Sequence, residues 1–170
     1  MACATHLASI MDLHKIVVAT DFSPDAAAAL DLALELARSS RAEIFLVHVC
    51  HMPSYAFFNG GVFVPLPSVF ADIVEDAKQA LHAEQELRAA QGNPLRTACL
   101  EGDPAQRILH FAEEQQADLI VMGTHGRRGV KRLLMGSVAE HVVRRAGQPV
   151  LTVHAKARES AHEPTIAGAA

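Results

Sequence analysis

The chain has 170 residues and a formal net charge of −4 at pH 7, and 50% of its residues are apolar. This composition predicts one ordinary globular domain, and the negative charge argues against a general nucleic-acid-binding protein, which would be basic. No apolar run reaches the length of a membrane span, the N-terminus shows no secretory signal, and three cysteines cannot form a disulfide framework. We therefore expect a cytoplasmic location and neither nucleic acid nor a membrane as a partner.

The first part of the chain predicts a strand, a helix and a second strand. Residues 1–12 have no clear periodicity and are expected to form a tail. The apolar run at residues 15–20 is rich in branched side chains, which favours a strand buried on both faces. Ser23 followed by Pro24 is typical of a helix start. The apolar run at residues 43–49 predicts the second strand.

Residues 52–68 form an unusual segment that we expect to be a long loop. The segment holds three prolines, the chain's single tyrosine and three of its seven phenylalanines. Long loops of this kind are uncommon, and they are usually functional or packed against another surface. Two interpretations stay open: a cover over a ligand site or a subunit interface, or a surface insertion with little order. The apolar composition favours the first.

The second half of the chain continues the alternation of helices and strands. Phe70, Ile73, Ala77 and Leu81 predict the buried face of a helix that ends near Ala90. The later elements are a strand at 95–100, a helix capped by Asp103, a strand at 119–122, a helix at 138–146 and a strand at 150–153. Ser137 and Glu140 have the spacing of a capping box, which predicts Ser137 as the N-cap of its helix. Residues 156–170 are expected to be a tail.

This alternation predicts an α/β fold for residues 13–155. Strands that alternate with helices form a parallel sheet with helices on both faces and right-handed crossovers. In such sheets, ligands bind beyond the carboxyl ends of the strands, where the strand order reverses.

The fourth strand leads into a glycine-rich stretch with several cations. Gly123, Gly126 and Gly136 let the backbone approach a ligand closely, and Ser137 opens the following helix. Backbone N–H groups and the helix dipole at such a position attract phosphate, and basic side chains add full charges. The stretch therefore predicts a phosphate site.

The spacing Gly-x2-Gly-x9-Gly-Ser from Gly123 to Ser137 resembles the ATP-binding signature of the universal stress protein family. The resemblance extends over residues 13–155 and includes A-T-D-F-S after the first strand, L-V-H-V in the second and E-G-D-P after the third. It implies a Rossmann-like single domain with an open five-stranded parallel sheet in the order 3-2-1-4-5. It also implies an adenine nucleotide as ligand: ATP, AMP or ADP, with Mg²⁺ as a candidate companion.

The resemblance assigns site residues by position. Ala19, Thr20 and Asp21 would lie near adenine and ribose, and the backbone of Val49 would contact the base. The residues expected near the ribose and phosphates are Met122, Gly123, His125, Gly126, Arg127, Gly136, Ser137, Val138 and Ala139. Of the cations Arg127, Arg128, Lys131 and Arg132, we expect one or two to reach phosphate and the others to face water.

Several of these residues have other interpretations. Asp21 could serve only as a turn or capping residue. His125 could act as an acid or base, but an imidazole that lines the ligand without catalytic duty is the favoured interpretation. His48, Cys50 and His51 are of types that bind zinc. A strand puts only the first two on one face and offers no fourth ligand, so we expect no metal site.

The function that the resemblance implies is a stress-response regulator that binds ATP or AMP and acts as a dimeric switch. The last strand, Val150–Val153, lacks charge and suits pairing with a second copy. One alternative is a slow ATP hydrolase or nucleotidyl-transfer enzyme on the same fold. Phosphoryl transfer needs a positioned base, and the glycine stretch offers no carboxylate beyond Glu140, so we expect no catalytic residue. A second alternative is a nucleotide-free protein-interaction dimer, which the intact glycine signature argues against.

Overall fold

The structure is a computed structural model that describes residues 13–51, 56–58, 61–63, 67–124 and 135–155. Of residues 56–58, 61–63 and 67–68 it describes the backbone alone. The predicted tails at 1–12 and 156–170 lie outside the described residues. Among those described, no helix combines the length and the apolarity that crossing a membrane requires.

A five-stranded parallel sheet forms the centre of the domain. Its strands are β1 (Lys15–Ala19), β2 (Glu43–Cys50), β5 (Arg96–Glu101), β6 (Leu119–Gly123) and β7 (Val150–Val153). They lie in the order β5-β2-β1-β6-β7, and every neighbouring pair is parallel. Numbered within the sheet alone, this order is 3-2-1-4-5, so the predicted fold class is confirmed.

The described helices cover both faces of the sheet. They are α1 (Pro24–Ser40), α2 (Pro67–Ala90), α3 (Pro104–Glu114) and α4 (Ser137–Arg145). Side chains alternate along a strand, so Ile16 and Val18 join the core beneath α1 and α2, whereas Val17 joins the core beneath α3 and α4. All three are fully buried. Burial of each such side chain stabilises the fold by about 1.5–3 kcal/mol.

The helix ends explain why the elements begin and stop where they do. The hydroxyl of Ser23 accepts a hydrogen bond from the N–H of Ala26 at 3.3 Å, and the carboxylate of Asp103 accepts one from Gln106 at 2.9 Å. Both predicted N-caps are confirmed. At the end of α2, Gly92 has a φ of +76°, a left-handed conformation that glycine adopts without strain.

The predicted buried face of α2 is wrong at one position. Ile73 is 48% exposed, and Val74 is buried in its place, beside Ala77 and Leu81. At about 100° per residue, Val74 lies about 40° from Phe70 and about 20° from Leu81 around the helix, whereas Ile73 lies about 60° and about 80° from them. Both positions fit a helical spacing, but only the nearer one reaches the sheet.

The segment at 52–68 contains two short strands, where a loop was predicted. β3 (Ala56–Phe58) and β4 (Gly61–Phe63) pair in antiparallel fashion. The residues between them in the sequence are Asn59 and Gly60, the commonest dipeptide signal for a tight hairpin, so the sequence held a clue that the prediction did not use. Whether this segment covers a ligand or an interface stays a prediction.

Candidate functional site

The reversal of strand order places the ends of β1 and β6 side by side. Ala19 at the end of β1 is paired in register with Met122 of β6, and both side chains are buried. The chain segments that follow are Thr20–Asp21 and Gly123–Thr124. The switch point therefore brings together the two segments that the sequence analysis assigned to one crevice.

A tight turn follows β1. The hydroxyl of Thr20 accepts a hydrogen bond from the N–H of Phe22 at 3.0 Å, and the carboxylate of Asp21 accepts one from Ser23 at 3.1 Å. Phe22 has a φ of 62°, and its ring lies 4.8 Å from the imidazole of His48, between ring centroids. Asp21 thus acts as a turn residue, as its alternative interpretation held, and its role toward a sugar stays a prediction.

The backbone of β2 continues past the end of β1. The carbonyl of Val47 accepts a hydrogen bond from the N–H of Thr20 at 2.9 Å, so the backbone groups of Val47 point toward β1. Residues two apart in a strand point the same way. The N–H and C=O of Val49 therefore point into the space beyond the last residue of β1, the geometry that a backbone contact to a base requires.

The end of β6 is held from several sides. The N–H of Thr124 donates a hydrogen bond to the carbonyl of Val153 at 2.8 Å, and the carbonyl of Thr124 accepts one from the N–H of Gly136 at 2.7 Å. Gly123 lies against the first turn of α1: a Cβ there would be 2.8 Å from Cβ of Asp25 and 2.9 Å from the backbone N of Ala26. The close approach of α1 thus requires glycine at this position, independently of any phosphate.

The start of α4 corrects the predicted capping box. The N-cap is Gly136, in an extended conformation with φ −70° and ψ 153°, and Ser137 is the first residue of the helix. No side chain makes a capping hydrogen bond at this helix start. Gly136 is held extended at the helix end by its bond to Thr124, and Glu140 pairs with Arg144 at 2.7 Å. The prediction was wrong because Gly136 and Ser137 are both of residue types that occur as N-caps. The hydrogen bond from Gly136 to Thr124 makes Gly136 the N-cap.

This start suits an anion. The first three helical residues are Ser137, Val138 and Ala139, and the N–H groups at such positions have no partner within the helix. The helix dipole adds partial positive charge there. Ala139 is buried, so its contribution to a ligand would come from the backbone.

The remaining predicted site residues, His125, Gly126 and Arg127, lie outside the described residues. The same holds for the cations at 128, 131 and 132. Their contacts stay predictions.

The residues of the rejected zinc hypothesis have other partners. Nδ1 of His48 lies 2.8 Å from the carbonyl of Thr20, and Nδ1 of His51 lies 3.2 Å from that of Gly102. The sulfur of Cys50 lies 3.7 Å from that of Cys99. Burial, followed by the neighbouring Cys99, raises the pKa of the Cys50 thiol from 9.0 to about 11. Within the described part of the chain, no group of three metal-binding side chains comes together.

One residue at the edge of the switch point was missed by sequence reasoning. Asp25, in the first turn of α1, accepts hydrogen bonds from the hydroxyl of Thr124 at 2.9 Å and from the N–H of Ala155 at 3.0 Å. Nδ1 of His154 lies 3.1 Å from the same carboxylate. An acidic residue in a first helical turn is ordinary, so its sequence position gave no signal of this cluster at the edge of the switch point.

Comparison with known proteins decides the family. A profile described as the universal stress protein family matches residues 13–154. The chain belongs to the universal stress protein family. Universal stress protein MJ0531 of Methanocaldococcus jannaschii is 36% identical over 151 residues, covering 85% of this chain and 84% of the relative. Universal stress protein YxiE of Bacillus subtilis is 32% identical over 145 residues, covering 82% of this chain and 98% of the relative.

Solved structures of similar proteins share the fold, and two contain adenine nucleotides. MJ0577 matches with a TM-score of 0.71 and 25% identity, covering 86% of this universal stress protein and 99% of that chain. A universal stress protein in complex with cAMP matches with a TM-score of 0.63 and 25% identity, covering 85% and 99%. One from Archaeoglobus fulgidus in complex with dAMP matches with a TM-score of 0.58 and 29% identity, covering 84% and 99%.

Proposed function

We propose that this universal stress protein binds an adenine nucleotide, ATP, ADP or AMP, across the crevice at the carboxyl ends of β1 and β6. In this proposal the bound nucleotide switches a cytoplasmic, dimeric regulator of a stress response. The observation that carries the proposal is the meeting, at one switch point, of the β1 turn, the backbone of Val49 and the N-terminus of α4. The cAMP and dAMP complexes of two similar proteins support it.

Each part of the crevice suits one part of the nucleotide. The outward backbone of Val49 can pair with the adenine edge, and the oxygens of Thr20 and Asp21 can accept from sugar hydroxyls. The N–H groups at the start of α4, from Ser137 to Ala139, can donate to phosphate oxygens. Ala19, Met122 and Gly123 would form the wall, while His125, Gly126 and Arg127 would complete the phosphate contacts, with Mg²⁺ neutralising ATP.

A regulatory role fits the crevice better than catalysis. Phosphoryl transfer needs a base positioned in line with the phosphate. The carboxylate of Glu140 is paired with Arg144, and that of Asp21 is engaged in the β1 turn. Slow hydrolysis is therefore an outcome to measure, and we propose that it is not the protein's principal activity.

The experiment is a calorimetric titration of the purified chain with ATP in the presence of Mg²⁺, and separately with ADP and AMP. Gly136→Val places a branched side chain at the N-cap of α4, while Gly147→Val is the matched control, since a Cβ at Gly147 has no atom within 4 Å. The proposal predicts one site per chain in the native protein and the control, and at least a tenfold loss in Gly136→Val. Absence of binding to a folded, nucleotide-free native chain would refute it.

The same proposal assigns β7 as the dimer edge. β7 is the last strand of the sheet, and the carbonyls of Pro149 and Val153 accept bonds from β6 and the residue after it. The intervening backbone groups of Val150 and Thr152 therefore point away from the sheet. We expect Thr152→Pro, which removes one outward N–H, to produce monomers in light scattering, whereas Thr152→Ala stays dimeric. Equal masses for the two variants would contradict this assignment.

A further inference from the structure

Asp25 is a buried carboxylate on which the ends of two strands converge. The residue is 7% exposed and lies in the first turn of α1. Its Oδ2 accepts the hydroxyl of Thr124, the residue after β6, and its Oδ1 accepts the N–H of Ala155, which follows β7. Burial of a carboxylate costs free energy unless the carboxylate accepts hydrogen bonds. The hydrogen bonds from Thr124 and Ala155 therefore allow Asp25 to be buried at this position.

His154 fits the same arrangement. Its Nδ1 lies 3.1 Å from Oδ2 of Asp25 and 3.2 Å from Oγ1 of Thr124. The tautomer of His154 that carries its proton on Nδ1 can donate to this carboxylate, to which the Thr124 hydroxyl also donates. Groups from the segments that follow both β6 and β7 therefore meet at Asp25.

Thr124 connects Asp25 to the start of α4 through two hydrogen bonds. While its hydroxyl donates to Asp25, its carbonyl accepts the N–H of Gly136 at 2.7 Å. Gly136 is the N-cap of α4, whose first N–H groups form the proposed phosphate site. A continuous series of hydrogen bonds therefore runs from Asp25 through Thr124 to Gly136, the N-cap of α4.

We propose that Asp25 is a positioning residue of the nucleotide site. It holds Thr124 where the Thr124 carbonyl can fix Gly136, and so sets the distance between the β1 turn and the N-terminus of α4. This inference rests on the proposed function, because the site that it positions is the proposed nucleotide site. Asp25 itself acts through Thr124 and needs no contact with the ligand.

The test uses two substitutions at Thr124, one at Asp25 and one control substitution at Asp31. Thr124→Val is nearly isosteric and removes the hydroxyl, while Thr124→Ser keeps it. Asp25→Asn keeps the shape and weakens acceptance, and Asp31→Asn, on the same helix, is the matched control because its carboxylate pairs with Arg88 at 2.7 Å. Hydrogen bonds to charged groups are strong enough that Thr124→Val and Asp25→Asn should weaken AMP binding about tenfold. Thr124→Ser and Asp31→Asn should bind within about twofold of the native chain.

A second readout needs no nucleotide. Amide hydrogen exchange at Gly136 should accelerate about tenfold in Thr124→Val and Asp25→Asn, because the carbonyl that accepts this N–H is no longer held. The N–H of Ile120, which donates to Pro149 within the sheet at 3.0 Å, should be unchanged. Restoration of slow exchange in Thr124→Ser would separate positioning from a general loss of stability.

The outcomes separate this inference from the proposed function. If the native chain binds no adenine nucleotide while Gly136 exchange responds as expected, the proposed function fails and the hydrogen-bond series stands. If the native chain binds AMP, and Thr124→Val and Asp25→Asn bind it equally well, the positioning role is overturned. Exchange that accelerates equally at Gly136 and Ile120 also overturns it, since the effect is then on stability alone.

Discussion

Gly123→Ala is the substitution that the close approach of α1 to β6 makes most informative. The added methyl would lie 2.8 Å from Cβ of Asp25 and 2.9 Å from the backbone N of Ala26. Carbon atoms in contact prefer about 3.5–4.0 Å, so the first turn of α1 must move by about 1 Å. Overpacking of this kind costs about 1–3 kcal/mol, and the hydrogen bond from Thr124 to Asp25 would weaken too, by about 1 kcal/mol.

The expected loss is therefore about 3 kcal/mol, which for a domain of this size lowers Tm by about 6–12 °C. Urea unfolding and thermal unfolding, each followed by circular dichroism, measure it. Gly147→Ala is the matched control, since nothing lies within 4 Å of a Cβ there. The control should change stability by less than about 1 kcal/mol in either direction. Equal stability of the two variants would refute the argument that α1 packs directly on Gly123.

Further substitutions test the caps, the core and the buried thiol. Asp103→Ala should lower the free energy of unfolding, measured in urea, by about 1 kcal/mol, because the Asp103 carboxylate caps α3 with a hydrogen bond of 2.9 Å. Ser137→Ala should lower it far less, since the Ser137 side chain caps no helix. Equal losses would contradict the assigned caps. Leu81→Ala should lower the free energy of unfolding by about 2–5 kcal/mol, because the Leu81 side chain is only 2% exposed. Ile73→Ala should lower it by less than about 1 kcal/mol, because Ile73 is 48% exposed, and a reversed order would contradict the described face of α2. The pKa of Cys50 is raised to about 11, so the stability that this thiol contributes is complete below pH 9 and declines toward pH 11. Cys50→Ala should show a smaller decline across this interval, and identical pH profiles would contradict the raised pKa.

The architecture could be predicted because local patterns and packing agree in most of the chain. After Lys15, the remaining residues of β1 are apolar, and β6 is apolar along its whole length, as strands covered on both faces must be. Ser23 and Asp103 stand directly before prolines, which leaves little choice for the start of their helices. With these elements fixed, the parallel sheet and its switch point followed from general rules of topology.

The cap of α4 and the contacts of Asp25 could not be predicted because residues distant in sequence determine them. Ser137 and Gly136 both fitted a helix cap, and the carbonyl of Thr124 selected Gly136. Asp25 reaches Thr124 and His154 across 99 and 129 residues of sequence. No local pattern encodes a hydrogen bond over such separations, so the cluster became visible only when the fold brought β6, β7 and α1 together.

A map of amide chemical shifts in the ¹⁵N-labelled chain during titration with AMP would show which surface the nucleotide contacts. We expect the largest changes at the two sides of the switch point, namely the amides of Thr20, Asp21 and Val49 and those at the start of α4 from Ser137 to Ala139. Amides in the turn at Gly92 that ends α2, at the opposite end of the sheet, should stay unchanged. Shifts confined to other surfaces, or no shifts at millimolar AMP, would contradict the assignment of this crevice as the nucleotide site.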